Sequence, residues 1–215
     1  PTSKALIITA KEWKKAVNSL AVMQGLPSDL AGFEMDVYFD TAKNSFQVYH
    51  DSAVFSSQSL EGLLEMYQQR KLTSSIWLDF KNLSNRNEKQ SLLYLSELRE
   101  KFALQQKIIV ESTEPQYLQS FNDKGFFTSY YTPYFNPYSI SANDLHVFID
   151  SITATLKKYN VSALSGYYFQ MPALKRYFPS YPLLSWADRD RFSFVSFLFH
   201  RKLQREPALN VLLFP

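Results

Sequence analysis

The residues best placed to do chemistry in this chain are carboxylates set two apart. The stretch 32–38 reads Gly-Phe-Glu-Met-Asp-Val-Tyr. In a strand, alternate residues share a face, so Glu34 and Asp36 point the same way, roughly 6–7 Å apart at Cα. Phe33, Met35 and Val37 take the other face. Two carboxylates on the inner face of a buried strand repel each other and lose hydration. A divalent cation, Mg²⁺ or Ca²⁺, removes both costs. The plainer reading is a polar pair at the wet end of a strand. A third acid comes from Ile76-Trp77-Leu78-Asp79-Phe80-Lys81, where Asp79 and Lys81 share a face opposite Leu78 and Phe80. A charge in so apolar a strand needs an ion-pair partner or a metal, and Lys81 is the obvious ion-pair partner. Glu111 closes the next apolar run, Ile108-Ile109-Val110. Successive strands therefore each end in an acid.

One histidine joins these acids by sequence. The segment 40–45, Asp-Thr-Ala-Lys-Asn-Ser, has turn chemistry, and the return through 46–49 brings His50 back toward the carboxylates. Histidine serves as acid, base or ligand near neutral pH. Of the other two, His146 falls on a predicted helix and His200 in the basic run His-Arg-Lys.

Such residues need a scaffold that gathers strand ends. Short apolar runs predict strands at 13–18, 32–39, 46–49, 75–81, 107–111, 126–131, 162–168, 182–186 and 210–214. Helical spacing predicts helices at 60–70, 87–102, 115–124 and 143–159, the third opened by Pro115 and followed by Gly125. The stretch 192–203 is ambiguous, with a helix favoured. Strand–helix alternation argues for a parallel sheet. About eight such units closing on themselves give a (β/α)8 TIM barrel, for which roughly 200 residues is the lower size limit; the chain has 215. An open doubly wound sheet is the competitor, but no glycine-rich phosphate-loop motif supports a nucleotide fold. No repeat or linker divides the chain, so one barrel domain over 1–215 is expected. In a barrel the strand C-termini meet at one rim, where the active site forms.

Composition narrows the chemistry. There is no cysteine, which excludes thiolate metal sites, disulfides and cysteine nucleophiles. A net charge of +3, with basic residues scattered, gives no footprint for nucleic acid. No apolar run approaches the roughly 20 residues of a membrane span. The chain opens Pro-Thr-Ser, compatible with removal of a leader, and export to the periplasm or the extracellular space is slightly favoured.

Glu34-x-Asp36, a short hairpin, His50-Asp51, the run 59–64, and Leu78-Asp79-Phe80-Lys81 together resemble the glycerophosphodiester phosphodiesterase superfamily, which has a phospholipase-C-like barrel. The resemblance is specific over 32–81 and architectural beyond. Its layout is closest to short members lacking an insertion after the His-Asp pair, such as the menorin-like proteins and sphingomyelinase-D-like barrels. It implies a divalent cation held by Glu34, Asp36 and Asp79, with His50 protonating the leaving alcohol and Lys81 contacting phosphate. It implies a small phosphodiester or a phospholipid headgroup as substrate. The family carries another histidine at the end of its first strand. Here the sequence reads Lys14-Lys15-Ala16-Val17-Asn18-Ser19, and Lys15 falls at that position. The resemblance thus implies a phosphodiesterase attenuated at Lys15, or a ligand-binding module on the same barrel. An unrelated glycosidase using paired carboxylates is the third reading. Glu111, Trp186 and the aromatic run 130–138 are candidate ligand contacts; packing over the barrel end is the plainer role for the aromatics.

Overall fold

The computed structural model describes residues 6–50, 58–186, 198 and 201–214. Its strands are β1 (Glu12–Lys14), β2 (Gly32–Asp40), β3 (Ser45–Val48), β4 (Ser75–Phe80), β5 (Ile108–Ser112), β6 (Phe127–Tyr131), β7 (Ala163–Tyr167), β8 (Leu183–Trp186) and β9 (Leu209–Phe214). They run in the order β1-β9-β8-β7-β6-β5-β4-β2-β3, and a further β1–β2 pairing closes the ring. Every pairing in the ring is parallel; β3 stands outside it, antiparallel to β2. This is the closed (β/α)8 barrel that the alternation predicts. The helices are α1 (Leu20–Gln24), α2 (Leu60–Gln69), α3 (Glu88–Lys101), α4 (Pro115–Asp123), α5 (Ala142–Lys158) and α6 (Met171–Tyr177). Between β8 and β9, residues 201–204 are helical, and most of the helix read at 192–203 lies outside the described residues.

Two sequence expectations change. The strand read at 13–18 stops at Lys14, and residues 15–19 form a loop with Ala16 in the left-handed region at φ 59°. Here Val17 N–H donates to the Glu34 carbonyl at 2.8 Å and Lys15 N–H to that of Phe214 at 2.6 Å, so the loop stays tied to both neighbouring strands. Helices α1 and α6 are additional to those read. Both are short: α1 buries only Met23, too little for a 3.6-residue pattern to register.

The barrel has two packed layers. Outward-facing Phe33, Met35, Val37, Ile76, Leu78, Phe80 and Val110 pack with Leu60, Leu63, Leu95, Leu98, Leu118 and Phe121 of the helices. Inward-facing Trp13, Trp77, Ile109, Phe127, Leu184, Val211 and Leu213 fill the interior. Gly32 is part of that filling: a Cβ there would lie 2.2 Å from the Trp13 ring. Any larger residue displaces the indole, and overpacking of this kind costs about 1–3 kcal/mol. The side chains below the mouth thus make a floor rather than a pore.

Candidate active site at the mouth of the barrel

Strand register builds the site. Asp36 pairs with Asp79, Asp79 with Glu111, and Glu111 with Ser129, which sets one inward-facing polar row across four neighbouring strands. Glu34 lies one step below, beside Trp77. Carboxylate oxygens of Glu34, Asp36 and Asp79 all fall within 4.8 Å of one another. Glu34, Asp36 and Glu111 are buried and Asp79 is partly so.

The β1–α1 loop grips this cluster. Ala16 N–H donates to Glu34 Oε2 at 2.6 Å. Asn18 makes a fork with Asp36: its amide nitrogen donates to Oδ2 at 2.6 Å, and its amide oxygen accepts the Asp36 N–H at 2.9 Å. The Lys81 ammonium lies 2.8 Å from Asp36 Oδ1 and also bonds Asp79 Oδ2. The ion pair read between Asp79 and Lys81 is therefore present, and it is part of the acid cluster rather than an alternative to it.

An open cavity sits over the cluster, and its lining includes Lys15, Glu34, Asp36, His50, Asp79, Lys81, Glu111 and Trp186, all nominated by the sequence. Trp77, Tyr131, Tyr167 and Leu213 complete it. His50 is exposed, and its charge favours the ionised form of Asp79. Among the described residues it is the one histidine in the lining; His146 lies on α5, against Tyr177. Asp51 and His200 lie outside the described residues.

The cavity has two unlike halves. Strands β2, β4 and β5 supply the charges. Strands β6, β7 and β8 supply Tyr131, Tyr167 and Trp186, with Tyr131 and Tyr167 ring centroids 4.9 Å and 5.1 Å from that of Trp186. Tyr134 on the rim meets Tyr167 edge-on at 5.2 Å and is 60% exposed. The aromatic run 130–138 divides: Tyr131 faces the cavity, while Phe135 is buried against Phe148. Asn18 and Tyr167 are the members that sequence reasoning missed. Tyr167 shares its inward parity with Ser165, a signal available from the strand pattern; the Asn18 fork crosses from loop to strand and leaves none.

Burial and crowding shift the acids of the site upward. Burial, then Asp36 and Asp79, push Glu34 up to about 8, although the Ala16 N–H and Lys81 oppose the shift. Burial, then Asp79, hold Glu111 well above the usual carboxylate range. Burial raises Asp79 against the pull of Lys81. Burial alone would lower Lys81, but Asp79 and Asp36 outweigh it and keep the ammonium charged. The Glu34 shift predicts a pH effect with a definite sign. Between pH 4.5, its ordinary value, and about 8, the folded chain holds a proton that the unfolded chain has released. Stability of the metal-free protein therefore falls as pH rises through that window. Denaturant midpoints in chelator at pH 5 and pH 8 check this; the decline should flatten in Glu34→Gln.

No protein-family model matches the chain, and no curated protein matches it in sequence. Solved structures match its fold over nearly the whole length. A phosphodiesterase from Oleispira antarctica, solved in complex with the product sn-glycerol-3-phosphate, superposes with a TM-score of 0.65 at 11% identity, covering 94% of this chain and 92% of that one. A glycerophosphodiester phosphodiesterase from Parabacteroides distasonis gives 0.61 at 16% identity, covering 97% and 91%. One from Agrobacterium tumefaciens gives 0.59 at 13%, covering 96% of each chain.

Proposed function

We propose that this chain, which shares the barrel fold of the glycerophosphodiester phosphodiesterases, binds a phosphodiester of the glycerophosphodiester or phospholipid-headgroup type and hydrolyses it slowly in the presence of a divalent cation. The observation that carries the reading is the gathering of Glu34, Asp36, Asp79, Lys81 and His50 around one cavity of that barrel.

The donor set fits a hard cation. Three carboxylates within 4.8 Å, in a site whose acids outnumber its lysines, offer oxygen ligands, which suits Mg²⁺ or Ca²⁺. Glu34, Asp36 and Asp79 would hold the cation, whose contribution would be to neutralise charge on the diester. The other roles belong to side chains. Lys81 serves as a point charge for a phosphate oxygen. His50 holds a proton for the leaving alcohol. Glu111 and Trp186 contact the remainder of the substrate. Lys15, with no lone pair while protonated, binds the anion rather than attacking it. A second reading, a ligand-binding module without turnover, is favoured by this same lysine.

The metal part has a direct test. A ligand that binds only the native state at 100 times its Kd stabilises it by about 2.7 kcal/mol, or roughly 5–10 °C in a protein of this size. Mg²⁺ or Ca²⁺ should raise the melting temperature by that order, and Glu34→Gln should remove most of the rise. A melting temperature indifferent to both ions sinks the metal-dependent reading.

A further inference from the structure

The β2–β3 hairpin has two unlike faces. Toward the helices it presents Phe39 and Phe46, which meet edge-on at 4.9 Å, and Phe46 meets Phe80 edge-on at 5.1 Å. All three rings are buried in the core. The other face carries Tyr38 and Tyr49. Tyr38 shares it with Glu34 and Asp36, by the alternation of the strand. Tyr49 follows the last residue of β3 and lies diagonally across from Tyr38, whose register partner is Gln47. Their rings stack with centroids 4.2 Å apart and planes 1° from parallel, and both are half-buried. The hairpin is already held to the core by its other face, so folding alone does not call for this second, flat pair.

What the pair controls is the next residue. β3 ends at Val48, and Tyr49 N–H donates to the Asp36 carbonyl at 3.2 Å. His50 follows at once, exposed and in the cavity lining. Burial does not fix an exposed imidazole. Its place is inherited from Tyr49 through the few soft dihedrals between them. A strand end with a loose terminal residue frays, and His50 would move with it. We propose that Tyr49, clamped flat on Tyr38, is a positioning residue that holds His50 at the carboxylate cluster. Tyr38 anchors the clamp to the strand that carries Glu34 and Asp36, so histidine and acids are referred to one rigid element. This rests on the reading of His50 as proton donor to the leaving alcohol. Misplacing such a group by about 1 Å costs roughly 10²-fold in rate.

The test compares a glycerophosphodiester with a nitrophenyl diester, in Mg²⁺ or Ca²⁺, on native, Tyr49→Ala, Tyr49→Phe and His50→Ala chains. Tyr49→Ala should lower kcat on the glycerophosphodiester about 10- to 100-fold with KM little changed. The nitrophenyl diester needs no acid and should be spared, which also shows that the variant is folded. Tyr49→Phe keeps the stacking face and should stay within about threefold of native. Tyr49→Ala should add little to the loss in a His50→Ala chain, since the two residues act as a unit. Equal losses on both substrates in Tyr49→Ala, beside a selective loss in His50→Ala, overturn the proposal. So does a Tyr49→Phe chain as impaired as Tyr49→Ala. A second readout stands without turnover. The His50 imidazole signal, identified by its absence in His50→Ala, should relax as a rigid group in the native and Tyr49→Phe chains and as a mobile one in Tyr49→Ala. Imidazole motion that is the same in all three overturns the clamp. A rigid ring loosened by Tyr49→Ala in a chain that hydrolyses neither diester upholds the clamp and overturns the hydrolase reading.

Discussion

His50→Ala lowers turnover of a phosphodiester with a poorly departing alcohol by roughly 10²- to 10⁴-fold, the range for a positioned general acid. The expectation follows from place. His50 lies at the cavity edge, follows directly from the hairpin that pairs with β2, and stands close enough to Asp79 for its charge to be felt there. An alkoxide leaves badly unless it is protonated as the bond breaks. A nitrophenolate leaves without help, so a nitrophenyl diester should suffer far less from the same substitution. Parallel assays of a glycerophosphodiester and a nitrophenyl diester on native and His50→Ala chains decide the role. Equal losses on the two substrates contradict a general acid and leave His50 a binding residue.

The second large effect concerns Lys15, and it is a gain. Lys15 is half-buried in the lining, and the proposed reading sets it where the resembling family carries its first-strand histidine. A lysine ammonium has an ordinary pKa of roughly 10.4, so at neutral pH it offers charge and no lone pair. The native chain should then bind phosphodiesters and turn them over very slowly. Lys15→His restores a base at that place, and a positioned base is worth roughly 10²-fold or more. The measurement is hydrolysis of a panel of glycerophosphodiesters and lysophospholipids with Mg²⁺ or Ca²⁺ by both proteins. Robust turnover by the native chain contradicts the attenuated reading. No activity in either favours the binding module.

The parts of the site carried by local periodicity were legible in the sequence. Glu34, Asp36, Asp79 and Glu111 announce themselves because a strand has period two and their neighbours are apolar. The barrel follows from the alternation of such strands with amphipathic helices. What was not legible depends on contacts between distant segments. The end of β1 at Lys14 is set by a left-handed alanine, a conformation that alanine does not advertise, and by hydrogen bonds to a strand some 18 residues away. The Asn18 fork has no local pattern. Helix α6 escaped because seven residues opening beside a proline are too short to show a face.

The grip of the β1–α1 loop on the acids bears on how such a chain can change over evolutionary time. Strands β1 and β2 share a single register pair, Lys14 with Phe33, whereas β2 and β4 share six. At that seam the Glu34 carboxylate and the Asp36 carboxylate, through Ala16 and Asn18, act as staples that finish the closing of the ring. These two acids therefore have a role in folding that does not depend on catalysis. Substitution of either acid should then cost stability as well as any activity. On the proposed reading, a change at Lys15 acts on a scaffold whose closure these two acids already hold.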